Sequence, residues 1–321
     1  MKPDLTSLLA RLTNIHRPDG RPNVFIFSTP RSGSTWLMEL ILTQPGFKPC
    51  SEPFNLAVPA VREHLARLGI RGWADFHGPG ATAAIEAHIR GFCDGRLSFK
   101  NPFLHRNYFR LVTRRIVFKI LHAGEERINW FRNTFHGRVV LLLRHPVPVS
   151  LSREVYPRLE ARLESDYSRH FTDEQLREAS KILASGTKLE RGVLDWCLQN
   201  AVALQSAAPD WAIISYEQLV LDPHPVLDLL ARRLELPEPE RMARRLGVPS
   251  ASTYKSDERT RTVLAGRGQE EKSRWLVEKW RQRVTEEEER RAMDILEMFK
   301  VEAYRFGMSL PADWLWVKDS S

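Results

Sequence analysis

The sequence predicts an α/β fold of three layers, with a central parallel sheet and helices on both of its faces. Three observations carry that prediction. Apolar runs at 24–27, 116–120, 139–143 and 212–215 have strand length and do not alternate with polar residues, as expected of strands buried on both faces. The stretches between them are long and helical in pattern, which suits parallel βαβ crossovers rather than hairpins. The first run also passes straight into a short polar turn that opens a helix, an arrangement that leaves backbone N–H groups free to hold an anion. With no repeat and no low-complexity linker, residues 1–321 are expected to form one domain.

The first element and its turn read VFIFSTPRSGSTW over residues 24–36. Leu37, Leu40 and Ile41, at i, i+3 and i+4 spacing, imply the helix, and Pro45-Gly46 stops it. In the turn, Ser32, Gly33, Ser34 and Thr35 supply backbone and hydroxyl donors. Gly33 lets the main chain approach a phosphate, and Arg31 adds a permanent charge with a fork of donors. Trp36 offers a flat apolar face to a base. The turn differs from the ATP-binding G-x-x-x-x-G-K-[ST] loop in having one glycine, and in placing its cation before that glycine rather than after it.

Residues 50–115, mixed in character and rich in Pro, Gly and His, are too long for one crossover, and 56–115 is read as an insertion on the acceptor side. Lys119 lies near the carboxyl end of the second strand, where an ammonium inside an apolar run needs water or an anion. The third strand closes on Arg144-His145-Pro146, so Arg144 faces the crevice where parallel sheets bind ligands, and Ser152 is placed on the following helix. Charged helical patterning over 150–185 suits a lid. Tyr216 is read as ending the fourth strand, and 226–234 is an amphipathic helix after Asp222-Pro223. A basic segment holds Arg267, Lys272 and Arg274, and a capping box at Thr285 and Glu288 opens a helix expected to reach about Phe306.

Together these segments resemble the nucleotide-binding frame of the sulfotransferases. The 28–36 turn is similar to their T-x-P-K-S-G-T-T-W loop in the arginine version of the carbohydrate, trehalose and tyrosylprotein branches. Arg144 with Ser152, Tyr216 with the D-P helix and, more weakly, Gly266-Arg267-Gly268 with Lys272 and Arg274 match the segments that hold the 3′-phosphate and the adenine. The R-K-G triplet of the phenol and steroid enzymes is absent. The resemblance implies a P-loop-like fold and 3′-phosphoadenosine-5′-phosphosulfate as co-substrate, with in-line transfer of its sulfonyl group to an acceptor hydroxyl and no required metal. Arg31 and Lys119 are the expected cations at that group. Two bases are offered. Glu52, in CSEPF at 50–54, resembles the catalytic glutamate of the arginine-loop branches and is favoured, with Pro53 expected to hold it extended. His122, in KILH at 119–122, sits one residue beyond the catalytic histidine spacing of the phenol and steroid branch. The arginine loop leans towards a carbohydrate or glycolipid acceptor. A hydrophobic alcohol or phenol acceptor, a small-molecule kinase and a non-catalytic nucleotide-binding module stay open as alternatives.

Composition sets outer bounds. A formal charge of +8 suits an anionic co-substrate, while scattered arginines without an aromatic-basic repeat argue against nucleic acid. Cys50, Cys93 and Cys197 are far apart and without metal-ligand spacing, so reduced thiols are expected. No run suits a signal peptide or a membrane span, which points to a cytoplasmic enzyme. The sequence leaves the oligomeric state open.

Overall fold

The four apolar runs form adjacent parallel strands, and a fifth strand joins them at one edge. The computed structural model describes residues 15–98, 110–248, 250 and 269–318. A short parallel pair, β1 (Ile15–His16) with β4 (Val112–Thr113), lies apart from the main sheet. The sheet contains β2 (Val24–Ser28), β3 (Phe47–Ser51), β5 (Arg115–Ile120), β6 (Arg138–Leu143) and β7 (Ala212–Ser215), in the order β3-β5-β2-β6-β7.

Helices follow in chain order: α1 (Ser34–Ile41), α2 (Pro59–Arg67), α3 (Ala81–Cys93), α4 (Ile128–Thr134), α5 (Pro146–Ser150), α6 (Arg158–Leu163) and α7 (Asp173–Ser185). They continue with α8 (Lys188–Gln205), α9 (Tyr216–Leu221), α10 (Pro223–Leu234), α11 (Glu240–Arg245), α12 (Gln269–Glu278) and α13 (Glu286–Met298).

The pleat of β2 explains why its apolar run is continuous. Phe25 and Phe27 face a core shared with Phe118, Phe131 and helix α8, while Val24 and Ile26 face Leu37, Leu40, Val140 and helix α10. Phe25 and Phe118 stack with ring centroids 4.8 Å apart. From β2 the chain goes to one side for β3 and β5 and to the other for β6 and β7, so a crevice opens at the carboxyl end of β2.

Two segments differ from the sequence expectation. Strand β3 is not assigned from the sequence: it starts before the mixed 50–115 stretch and ends just inside it, and Lys48 and Pro49 break its apolar pattern. A proline is tolerated there because β3 is an edge strand with one neighbour. Helix α13 stops at Met298 instead of continuing towards Phe306: Lys300 turns left-handed with φ 56°, and the amide of Val301 donates back to the Leu296 carbonyl. Residues 150–185, expected to serve as a lid, are anchored by buried Leu159, Tyr167, Ala179 and Ile182, and the Tyr167 hydroxyl donates to the Leu198 carbonyl at 3.0 Å. Among the described residues no helix is long and apolar enough to cross a membrane. All three cysteines are unpaired.

Candidate active site

At the end of β2 the chain turns through Thr29 to Gly33 and enters α1, with Gly33 as N-cap at φ 89° and no side chain capping the open N–H groups. Glycine is required here twice over. Its φ is left-handed, and a Cβ would lie 2.5 Å from Cδ2 of Tyr216. Beyond the room it leaves for a phosphate, this glycine also makes room for the Tyr216 ring. Ser32 is fully buried, and its hydroxyl has no hydrogen-bond partner in a place where a ligand oxygen would complete it. Arg31 is exposed beside it and is itself left-handed at φ 75°.

Thr35 links this cradle to the expected chemistry. Lys119, buried on β5, donates through Nζ to Thr35 Oγ1 at 3.0 Å and to Glu52 Oε1 at 2.9 Å. The ammonium does not snorkel to the surface. On the other carboxylate oxygen, Asn55 Nδ2 donates to Glu52 Oε2 at 2.8 Å, and His122 Nε2 lies 3.4 Å away. The two rival bases of the sequence are therefore one hydrogen-bonded pair. The Glu52 side chain is 29% exposed and that of His122 only 9%, so a molecule entering the crevice meets the carboxylate first. Burial pushes the Glu52 carboxyl up, but His122 and the Lys119 ammonium outweigh it and hold the carboxyl well below the usual carboxylate range. Burial dominates at His122 and lowers its pKa, with Glu52 opposing, so the ring is neutral near pH 7.

The backbone at Glu52 corrects the expectation that Pro53 holds it extended. Glu52 has φ 57°, left-handed, while its amide still donates to the Lys119 carbonyl at 2.9 Å. The chain must leave edge strand β3 and turn inward before the proline. A non-glycine residue pays about 1–3 kcal/mol for such a conformation. Of the five such residues among those described, Arg31 and Glu52 both line the crevice.

Across the crevice, the Arg144 guanidinium lies over the Tyr216 ring at 4.0 Å and donates through Nη1 to the Arg31 carbonyl at 3.0 Å, while its Nε is buried without a partner. Trp36 meets the same Tyr216 ring edge-on at 6.4 Å. Tyr216 does not end the strand. It begins α9, because the Ser215 hydroxyl caps that helix by accepting from the Gln218 amide at 3.2 Å. Ser152 is also displaced from its expected place: α5 ends at Ser150, and Ser152 is exposed in the turn beyond it, donating to the Val149 carbonyl at 2.9 Å. Five helical residues are all that fit before the chain must turn back to α6.

The sequence reading overlooked the groups that hold these loops. Asn200, fully inside on α8, donates through Nδ2 to Thr29 Oγ1 at 3.0 Å, and Trp196 Nε1 donates to the Arg144 carbonyl at 3.1 Å, so one helix clamps both loops. The available signal was a group of polar residues, Asp195, Gln199 and Asn200, buried within α8. Trp73, from the 56–115 insertion, brings its ring to 5.7 Å from that of His122. Of the three basic residues expected near the nucleotide, Arg267 lies outside the described residues. Lys272 and Arg274 lie on α12, half-buried and exposed respectively, and α12 packs against α9.

A model of the sulfotransferase family matches residues 22–240 of the chain. No curated protein matches it. Among solved structures, the chain is similar to the sulfotransferase domain of the Synechococcus PCC 7002 olefin synthase, at 18% identity over 90% of this chain and 98% of that one, with a TM-score of 0.47. A sulfotransferase domain from the curacin biosynthetic pathway is 20% identical over 83% of this chain and 98% of its own, with a TM-score of 0.35. For sulfotransferase STF9 of Mycobacterium avium the identity is 10% over 72% of this chain and 67% of that one, with a TM-score of 0.36.

Proposed function

Because this chain belongs to the sulfotransferase family, we propose that it transfers the sulfonyl group of 3′-phosphoadenosine-5′-phosphosulfate to an acceptor hydroxyl, with Glu52 as the base. The observation that carries this reading is the bridge from Thr35 through Lys119 to Glu52, which ties an anion cradle to a carboxylate within one side chain. The residues fit the donor. The open N-terminus of α1 and the unpartnered Ser32 hydroxyl suit the 5′-phosphosulfate, with Arg31 beside them. Arg144, with its unpartnered Nε, suits the 3′-phosphate, and Trp36 and Tyr216 flank the space for the adenine.

When bound, the donor supplies an activated sulfur whose bond to the bridging phosphate oxygen breaks as the bond to the acceptor oxygen forms. Lys119 and Arg31 stabilise the negative charge that accumulates on the leaving side. Glu52, ionised at neutral pH, takes the hydroxyl proton, and His122 and Asn55 fix the direction of its carboxylate. A carboxylate held so far below its ordinary range is a weak base. A sulfonate in the cradle competes for the Lys119 ammonium, and every contact it takes leaves Glu52 more basic. Base strength thereby rises when the donor is present. Trp73, beside His122, offers an apolar ring face that suits the C–H side of a sugar, in keeping with a carbohydrate acceptor.

Calorimetry with adenosine 3′,5′-bisphosphate, AMP and ATP tests the donor assignment. The bisphosphate is expected to bind far more tightly than the other two, and equal affinities would refute the reading.

A further inference from the structure

Beyond Trp73 lies a group of cations for which the transfer reaction has no use. Arg162 is ion-paired to both carboxylates: Nε donates to Glu125 Oε1 at 2.9 Å and Nη1 to Asp195 Oδ1 at 2.6 Å, while Nη2 lies 2.8 Å from Glu125 Oε1 without making a hydrogen bond. Arg153 shares the same aspartate, with Nη2 at 2.8 Å from Oδ2. Its Nε and Nη1 are buried without hydrogen-bond partners, although the residue is only 8% exposed. Arg158 donates from Nη2 to the Glu154 carbonyl at 2.7 Å, and its Nε is likewise buried and unpartnered. Three guanidinium groups thus surround two carboxylates. Burying an unpaired cation is costly unless an anion arrives to complete it.

The excess charge faces the reaction centre. The Arg158 guanidinium lies over the Trp73 ring at 5.5 Å, and the same ring has His122 at 5.7 Å and Phe76 at 6.0 Å. Arg158 is close enough for its charge to act on both His122 and Glu52. Glu52 does not neutralise it, because its oxygens are already engaged by Lys119, Asn55 and His122. The other carboxylates whose charge reaches Arg158 are Asp195 and Glu125, already shared with Arg153 and Arg162. Burial also lowers the Arg153 pKa to about 10, in keeping with a cation short of partners.

We infer that Arg158, backed by Arg153, binds an anionic group on the acceptor, so that the natural acceptor carries a carboxylate or an equivalent acid as well as the hydroxyl that is sulfated. This rests on the sulfotransferase reading of the neighbouring cradle. Trp73 packs against the body of such a molecule, its acid reaches the arginines, and its hydroxyl lies against Glu52. Guanidinium suits this task because it stays charged and offers paired donors to a carboxylate.

The test measures binding to the protein, both free and loaded with adenosine 3′,5′-bisphosphate, by calorimetry with two matched probe pairs: 4-hydroxyphenylacetate against its methyl ester, and glucuronate against glucose. The expected result is that the acid of at least one pair binds tenfold or more tightly than its neutral partner. Which pair responds distinguishes an aromatic hydroxy acid from an acidic sugar. Arg158→Gln is expected to abolish that preference and leave bisphosphate affinity unchanged, while Arg158→Lys keeps part of the preference. Acid and neutral probes binding alike, no probe binding at all, or a preference that survives in R158Q would each overturn the inference. Bisphosphate affinity, read separately, says whether the donor assignment has failed instead.

Discussion

At the scale of single residues, the site depends on which group holds the proton acceptor and which one accepts. Glu52→Gln keeps the shape of the side chain and most of its hydrogen bonds but removes the acceptor, so kcat should fall by about 10²–10⁴-fold with bisphosphate affinity little changed. His122→Asn removes a positioning donor and should cost less. An active glutamine variant beside a dead asparagine variant would reverse the two roles. Arg144 gives a separate prediction: a charge-assisted hydrogen bond is worth about 1.5–3 kcal/mol, so Arg144→Ala should weaken bisphosphate binding more than tenfold. Unchanged affinity in that variant would remove Arg144 from the 3′-phosphate. AMP serves as the control, since it lacks that phosphate: the variant should lose clearly less affinity for AMP than for the bisphosphate.

At the scale of elements, the loops are only as well placed as the helices behind them. Gly33→Ala combines a left-handed φ of 89° with a Cβ 2.5 Å from the Tyr216 ring, so either the ring or the turn must move. The expected result is a lower urea midpoint together with a loss of bisphosphate affinity, and full retention of both would show that the ring can yield freely. Asn200→Ala removes the tie from α8 to Thr29 without altering any group proposed to touch the donor. Bisphosphate affinity should drop several-fold while far-ultraviolet circular dichroism stays the same.

At the scale of the molecule, several buried histidines set the response to acid. His145 is lowered to about 3 and His88 to about 4, each chiefly by burial, and both are fully inaccessible. Their unfolded value is 6.5. As pH falls below that value, the unfolded chain binds protons that the folded one refuses. The stabilisation from the neutral rings is complete above about pH 6.5 and is lost on acidification towards their folded values. Glu52, held below the carboxylate range, adds a loss of the same sign at lower pH. The urea midpoint should therefore be lower at pH 5.0 than at pH 7.5, and a midpoint that holds or rises would contradict this.

By itself the sequence determined the four apolar strands β2, β5, β6 and β7, their parallel direction and the strand-turn-helix at the end of β2. Each of these is written in local pattern: unbroken apolar runs, one glycine between serines, and Arg144 directly after a buried strand. Edge strand β3 was hidden because an edge tolerates the Lys48 and Pro49 that a central strand would exclude. The left-handed turn at Glu52 was hidden for a related reason, since it is imposed by a hydrogen bond to Lys119 on another strand and runs against the preference set by Pro53. Tertiary structure alone decided that Glu52, His122 and Lys119 form one network, that the Tyr216 ring leaves no room for a side chain at Gly33, and that three arginines gather around two carboxylates beside Trp73. Those relations join residues far apart in the chain. Their energy lies in packing, desolvation and charge between elements, for which local sequence pattern carries no signature.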